Sequence, residues 1–313
     1  MKLDVVNVIL LGVKKRSENM KEVQYGGQAV IEGVMMRGRK KVAVAVRRAP
    51  EDIVLEEREL KPLSDKFSPF GWPFVRGVVS LFSSLVVGIK ALSFSASQVI
   101  EEEEEELTPW EIFLTILTSL GLAVLLFVAL PATITTLVQR FIENNIILNF
   151  TEGMVKITTF LAYIFFISRL EDIQRVFRYH GAEHKVIHNY ESDKPLNVEN
   201  ARTFTTLHPR CGTSFIFLVI LMSIFFFSFF GRPPLLQRIL YHIMLLPVVA
   251  GTSYEIIKLA GDQEVNPLIR LFSLPGLWLQ NLTTSEPDDS MLEVAIKALV
   301  EVLPEEERGE IDV

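Results

Sequence analysis

Apolar and polar positions along this 313-residue chain are sorted into long blocks instead of being mixed evenly. Two runs, near residues 112 to 130 and 213 to 231, contain no Asp, Glu, Lys or Arg. Each approaches the roughly 20 residues that a helix needs to cross a hydrocarbon core. Four spanning helices are expected: EIFLTILTSLGLAVLLFVALPATITTLVQRF, LNFTEGMVKITTFLAYIFFISRL, TSFIFLVILMSIFFFSFFG and LLQRILYHIMLLPVVAGTSYEIIKLAG. The second is weakened by Glu152 and Lys156 near its start, and Pro131 is tolerable late in the first because neighbouring helices can satisfy the freed carbonyl.

Two further apolar stretches read differently. PFGWPFVRGVVSLFSSLVVGIKALSFSASQ has Arg76 and Lys90 close together around its apolar centre, which predicts an interfacial or partly re-entrant helix, with a span as the lesser alternative. NPLIRLFSLPGLWLQNL, with Trp278, suits the membrane surface. Upstream, KKVAVAVRRAPEDIVLEEREL alternates apolar and charged residues about a proline turn and predicts a β-hairpin, and GGQAVIEGVMMRGRK before it is also strand-like. SEPDDSMLEVAIKALVEVL opens with capping residues and continues at helical spacing, as a terminal amphipathic helix does.

The fold class that follows is mainly α. It is a polytopic integral membrane protein with about four transmembrane helices, interfacial amphipathic helices and a small N-terminal cytoplasmic β segment. It divides into an N-terminal segment with the hairpin (1–67), the interfacial helix and an acidic run (68–106), the membrane domain with a His-rich connector at 169–212 (107–260), and a C-terminal interfacial segment with the amphipathic helix (261–313).

Composition sharpens this. Hydrophobic residues make up 49% of the chain and the mean hydropathy is +0.32, which excludes a soluble globular enzyme, a disordered chain and a secreted disulfide scaffold. The net charge of −7, most of it in Glu101 to Glu106, argues against a nucleic-acid partner, and the glutamate run itself needs only a solvated face. A single cysteine, Cys211, rules out an internal disulfide. The first 20 residues do not read as a cleavable signal, because their basic cluster follows a short apolar stretch. Of 31 basic residues, 16 precede the first expected span, 7 lie between Arg169 and Arg210, and 4 follow from Lys258 onward. The positive-inside bias then places both termini and the middle connector in the cytoplasm.

The candidate chemistry sits in RVFRYHGAEHKVIHNYE. His180, His184 and His188 recur every four residues and share one helical face if the second span continues as a helix. His180-Gly181-Ala182-Glu183-His184 matches H-x-x-E-H, in which two imidazoles hold one zinc while the glutamate acts on the water completing its coordination. LHPRCGTSF supplies His208 and Cys211, with Pro209 suited to a first helical turn and Cys211 near the helix N-terminus. GTSYEIIKLAG supplies Glu255, an ionisable group among apolar helices. All three segments end at the same membrane surface in the derived orientation. The expected metal ligands are His180, His184, Cys211 and Glu255, with Glu183 as general base and His208 as oxyanion stabiliser or further ligand. Structural alternatives stand beside them: Glu255 paired with Lys258 or an arginine, His208 orienting a helix, Cys211 simply packed. Gln28, Glu32 and Arg37, among glycines, read as a buried structural loop or as a lid over the metal.

GGQAVIEGVMMRG, PFVRGV, YHGAEHKVI, ARTFTTLHPRCGTSF, LPVVAGTSYEIIKLAG and GLWLQNLTTSEPDDSMLEVAIKAL together resemble the bacterial YqhQ-like family of predicted metal-dependent integral membrane proteins, from about residue 24 to 303. The resemblance implies metal dependence and a bacterial cell-membrane location, and no particular reaction. The inverted zincin peptidases, which are soluble, offer a second likeness: they take a third ligand from a glutamate well downstream, and Glu255 lies 71 positions after His184.

Two functions compete. One is a membrane-embedded hydrolase, dependent on a divalent metal, most naturally Zn2+, that acts at the cytoplasmic interface on a membrane-associated peptide or lipid-linked substrate. The other is a non-enzymatic scaffold, binding lipid or a partner, in which the metal clamps the loops. A metal-free Cys211 nucleophile is a third reading, and a transporter fits least because no inverted repeat is visible. Oligomeric state is left open.

Overall fold

The computed structural model describes residues 25–61, 67–99, 108–192, 194–230, 235–260 and 267–308. The expectations for the first 20 residues and for Glu101 to Glu106 fall outside the described residues.

The described chain opens with β1 (Gly26–Val30), β2 (Gly33–Arg37), β3 (Lys41–Ala49) and β4 (Asp52–Glu59), one antiparallel sheet in that order. The expected hairpin is β3 with β4, and the glycine-punctuated stretch before it supplies β1 and β2. Alternation along β3 sends Val42, Val44 and Val46 to one face beside Val30 and Met35, and Ala43 and Ala45 to the other beside Val34 and Met36. Helices cover both faces, so the strand interior is apolar throughout, not alternating apolar and polar.

Eleven α-helices follow among the described residues. They are α1 (Val75–Val99), α2 (Pro109–Val124) continuing through a π-helical turn at Leu125–Ala129 into α3 (Leu130–Val138), α4 (Asn145–Ile167), α5 (Glu171–Glu191), α6 (Val198–Arg202), α7 (Gly212–Phe227), α8 (Leu235–Ala260), α9 (Pro267–Thr283), α10 (Asp289–Val302) and α11 (Glu305–Arg308). The π turn has a local cause. Pro131 has no N–H to return and its ring crowds the preceding turn, and the backbone ahead of it widens so that Leu130 N–H reaches Leu125 O.

Three stretches are long and apolar enough to cross a membrane by length and composition: Val75–Val99, Phe113–Val138 and Asn145–Ile167. The last two correspond to expected spans, whereas α7 is a shorter apolar helix of 16 residues. α1 is one unbroken helix of 25 residues rather than a re-entrant one, and the charge of Arg76 is met in space by Glu255 of α8. From Ser83 onward α1 lies across the sheet. Ser83 and Ser84 accept from Arg37, Ser95 Oγ accepts from Ile31 N–H, and Gly88 touches Gln28. Phe82, Leu85, Val86, Ile89 and Leu92 remain exposed on this helix.

The opposite face of the sheet is filled by α10 and α5. Asp288 caps α10, its carboxylate accepting from Met291 N–H at 3.0 Å. Met291, Leu292, Ala295 and Leu299 are buried against Ala43, Ala45, Tyr179, Val186 and Ile187. Each fully buried leucine or methionine there contributes roughly 1.5–3 kcal/mol. The expected terminal amphipathic helix thus lays its apolar face into the core, against the sheet and α5. α9 is likewise half core: it runs along α7 with Gly276 against Ser214 and with Leu279 and Gln280 buried, while Trp278 stays exposed.

Candidate metal centre

α4 ends at Ile167, Leu170 takes an extended conformation, and α5 starts afresh at Glu171, so the histidine helix is not a continuation of the second span. Its 21 residues still place His180, His184 and His188 on one face. Gly181 opens the turn between the first two, because a Cβ there would strike the carbonyl oxygen of Ser285. That close approach brings the segment after α9 against the histidines.

Backbone carbonyls then set the ring tautomers. Thr283 O lies 2.9 Å from His180 Nδ1, and Thr206 O lies 2.5 Å from His184 Nδ1. A carbonyl oxygen only accepts, so each Nδ1 carries the proton and each Nε2 is turned toward the other side. There His180 Nε2 meets Cys211 Sγ at 3.2 Å. One donor atom from each of His180, His184 and Cys211 lies within 4.8 Å of the other two, a grouping that could hold a metal ion. Carbonyl-oriented imidazoles of this kind are the usual support of metal-bound histidine.

Cys211 is the N-cap of α7, as its place beside the helix start predicts, but Pro209 belongs to the turn before the helix and not to its first turn. Burial pushes the Cys211 thiol up, but His180 and His184 outweigh it and hold the sulfur well below an ordinary thiol. Burial likewise pulls the His180 ring down, and Cys211 with Glu183 raises it to about 9. Each group thus favours the charged form of the other, and thiolate is the form of cysteine that ligates.

Glu183 sits beside this group and not within it. Its Oε2 is 3.3 Å from His184 Nε2, and the side chain is almost wholly buried. Burial pushes its carboxyl up, with His184 and His180 opposing, and the Gly27 N–H helps hold the charged form. Gly27 is required here. A Cβ would lie 2.6 Å from Met35 O and 2.7 Å from Glu183 Cγ. Gly27→Ala should destabilise the protein by roughly 1–3 kcal/mol through overpacking. Thermal unfolding of the detergent-solubilised variant measures this, and an unchanged midpoint would mean that β1 has room to shift.

His208 belongs to a second cluster, with His188 and Glu191. Its Nδ1 accepts from Arg210 N–H at 3.3 Å, so its Nε2 carries the proton. That Nε2 is buried without a hydrogen-bond partner among the described residues, 3.8 Å from Glu191 Oε2. Burial holds His208 and His188 below their ordinary values, so both rings are neutral. Burial raises the Glu191 carboxyl, but His208 and Arg210 hold it down at about 2, and Arg210 pairs with it directly. A guanidinium on the carboxylate and a protonated Nε2 both oppose a cation here, and the cluster reads as a polar support whose His208 presents a donor. The His184 and His208 ring centres are 5.5 Å apart.

Glu255 is not brought to the histidines. Both its oxygens are taken by Arg76, and Phe74 N–H adds a bond at 3.3 Å. Gln28, Glu32 and Arg37 also stay away from the His–Cys group. Gln28 and Arg37 face α1, and Glu32 pairs with Arg175 at the β1–β2 turn. The stretch expected as a loop is the β1–β2 hairpin, and its contribution at the site among the described residues is Gly27.

Gln280 was not singled out in the sequence. It accepts from His208 N–H at 2.7 Å and donates to His208 O and Ser214 Oγ, each at 2.8 Å, fastening the 203–211 loop to α7 and α9. An amide inside the apolar stretch GLWLQNL is the signal that could have found it. The Thr206 and Thr283 carbonyls leave no trace in the sequence.

Residues 72–305 match a family described as a protein of unknown function (DUF1385). The chain is also 35% identical over 294 residues to the uncharacterised protein YqhQ of Bacillus subtilis (strain 168), covering 89% of this chain and 92% of that one. No solved structure matches.

Proposed function

We propose, for a chain that belongs to the DUF1385 family, a metal-dependent hydrolase working at the membrane surface, with His180, His184 and Cys211 as ligands and Glu183 as its general base. One observation carries this reading. Two imidazoles have their Nδ1 protons committed to backbone carbonyls and so turn the other nitrogen toward a thiolate, with an unligated carboxylate alongside. Three protein donors suit zinc with its fourth tetrahedral position left for water or substrate, whereas a closed structural site takes four. A divalent ion held there would supply Lewis acidity and a water whose pKa is lowered toward neutrality. Glu183, steadied by Gly27, takes a proton at its carboxylate and returns it to the leaving group. His208, its Nε2 turned toward Glu191, supports the site from the neighbouring cluster. Peptide and ester bonds of membrane-associated substrates both suit this set.

The specific observation favouring a structural clamp is burial: His184, Glu183 and Cys211 are each at most 5% exposed. The test is metal stoichiometry of the purified chain together with the behaviour of Glu183→Gln, which a clamp would tolerate.

The proposed location is a bacterial cell membrane with both termini and the 169–212 connector cytoplasmic, because 27 of 31 basic residues then lie inside. In cysteine-accessibility labelling on a Cys211→Ser background, Glu143→Cys should react from the outside and Lys194→Cys should not. Outside labelling of Lys194→Cys would reverse the orientation.

A further inference from the structure

A cavity of about 420 Å³ opens where the end of α4, the start of α5 and the stretch after α9 meet. Arg169 and Arg178 both line it, with Gln174 and Asn281 as further polar groups and Phe165, Phe177 and Leu282 as apolar wall. Neither arginine has a carboxylate partner among the described residues. Arg169 rests on the Phe165 ring, 4.5 Å from its centre. Glu286 also lines the cavity, but Lys185 Nζ meets it at 2.8 Å and matches its charge. Two guanidiniums are therefore left uncompensated within one concave site. Planar forks of this kind bind phosphate oxygens in pairs.

Position gives the site its meaning. α4 is one of the three helices long and apolar enough to cross a membrane, and the cavity sits at its end, beside the exposed Phe165 and Phe166. The stretch that walls the cavity also anchors the histidines: Thr283 O fixes His180, and Ser285 N–H bonds Phe177 O at 2.9 Å. The same short stretch therefore touches both the cavity and the His–Cys group.

We infer that this cavity binds the phosphate group of a membrane-resident amphiphile of net negative charge, which the two uncompensated guanidiniums select over a zwitterion, the apolar wall facing the start of its tail. This rests on the hydrolase reading only in naming the class of substrate, since binding can be measured without turnover.

Native mass spectrometry of the full chain in detergent tests it, comparing phosphatidylglycerol with phosphatidylcholine of the same acyl chains, and inorganic phosphate alone. The chain should retain phosphatidylglycerol, and hold phosphatidylcholine and inorganic phosphate roughly tenfold or more weakly. Arg169→Gln/Arg178→Gln should lose the preference while keeping its zinc. Equal retention of the two lipids, or a double variant that binds phosphatidylglycerol as the parent does, would overturn the assignment. Inorganic phosphate binding as tightly as the lipid would make the ligand a soluble phosphate compound and remove the amphiphile from the proposal. Loss of lipid preference with zinc retained separates this cavity from the metal group, and absence of zinc from the parent chain would fall on the hydrolase reading alone.

Discussion

The His180→Ala/His184→Ala double variant should purify without stoichiometric zinc, while the parent carries close to one ion per chain. Removing two of three donors costs more than the roughly 10–100-fold in affinity that follows when only an orienting partner is lost. The protein should still fold and insert. Neither histidine lies in a helix long and apolar enough to span, and the packing of α5 on the sheet and α10 depends on Tyr179, Ala182, Val186 and Ile187. Cys211→Ser should also weaken binding, since an alcohol is a far poorer ligand than a thiolate. Glu255→Gln is the informative contrast. Both oxygens of Glu255 are engaged by Arg76, so its replacement should leave metal content unchanged and loosen α1 from α8 instead. Elemental analysis of the purified variants decides: full zinc in the double variant would make the H-x-x-E-H match a coincidence, and loss of zinc in Glu255→Gln would restore that glutamate as a ligand.

Glu183→Gln should retain zinc and fold yet lose function. The amide keeps the shape of the carboxylate beside His184 and Gly27 but cannot take up a proton. General acid–base catalysis contributes roughly 10²–10⁴-fold, so complementation of a host lacking the corresponding gene should fail severely. A base that only assists should be removable without emptying the site, whereas a ligand should not be. Full complementation by Glu183→Gln alongside failure of His184→Ala would sink the hydrolase and leave the metal as a clamp.

Much of the candidate site was readable in one dimension because its spacing is helical. His180, His184 and His188 share a face for any α-helix at those residues, and the capping pattern at Asp288 holds whatever the helix packs against. Cys211 could be placed at a helix start from the apolar run that follows it. What failed was anything that depended on a distant partner. Arg76 shortens an apolar stretch in the sequence, yet in space it is paired with Glu255, 179 positions away, and that one contact changes the reading of both residues. His208 and Cys211 are near neighbours in the chain and looked like members of one site. The loop between them turns them into different clusters, His208 toward Glu191 and Cys211 toward His180.

The sequence by itself determined the segregation into apolar helices and a small sheet, the family resemblance, and the residue types able to hold a metal. These follow from periodicity and composition, which are local. The tertiary structure alone decided which carbonyl faces each imidazole, and hence which nitrogen is free. It also decided that Gly27 of β1 lies on Glu183, that the apolar face of α10 packs on the sheet and α5, and that Gln280 fastens the loop carrying His208. Each is a contact between segments separated in the chain. Those that orient the imidazoles use backbone carbonyls, which every residue possesses, so side-chain identity cannot announce them; the others depend on which side chains the packing brings together.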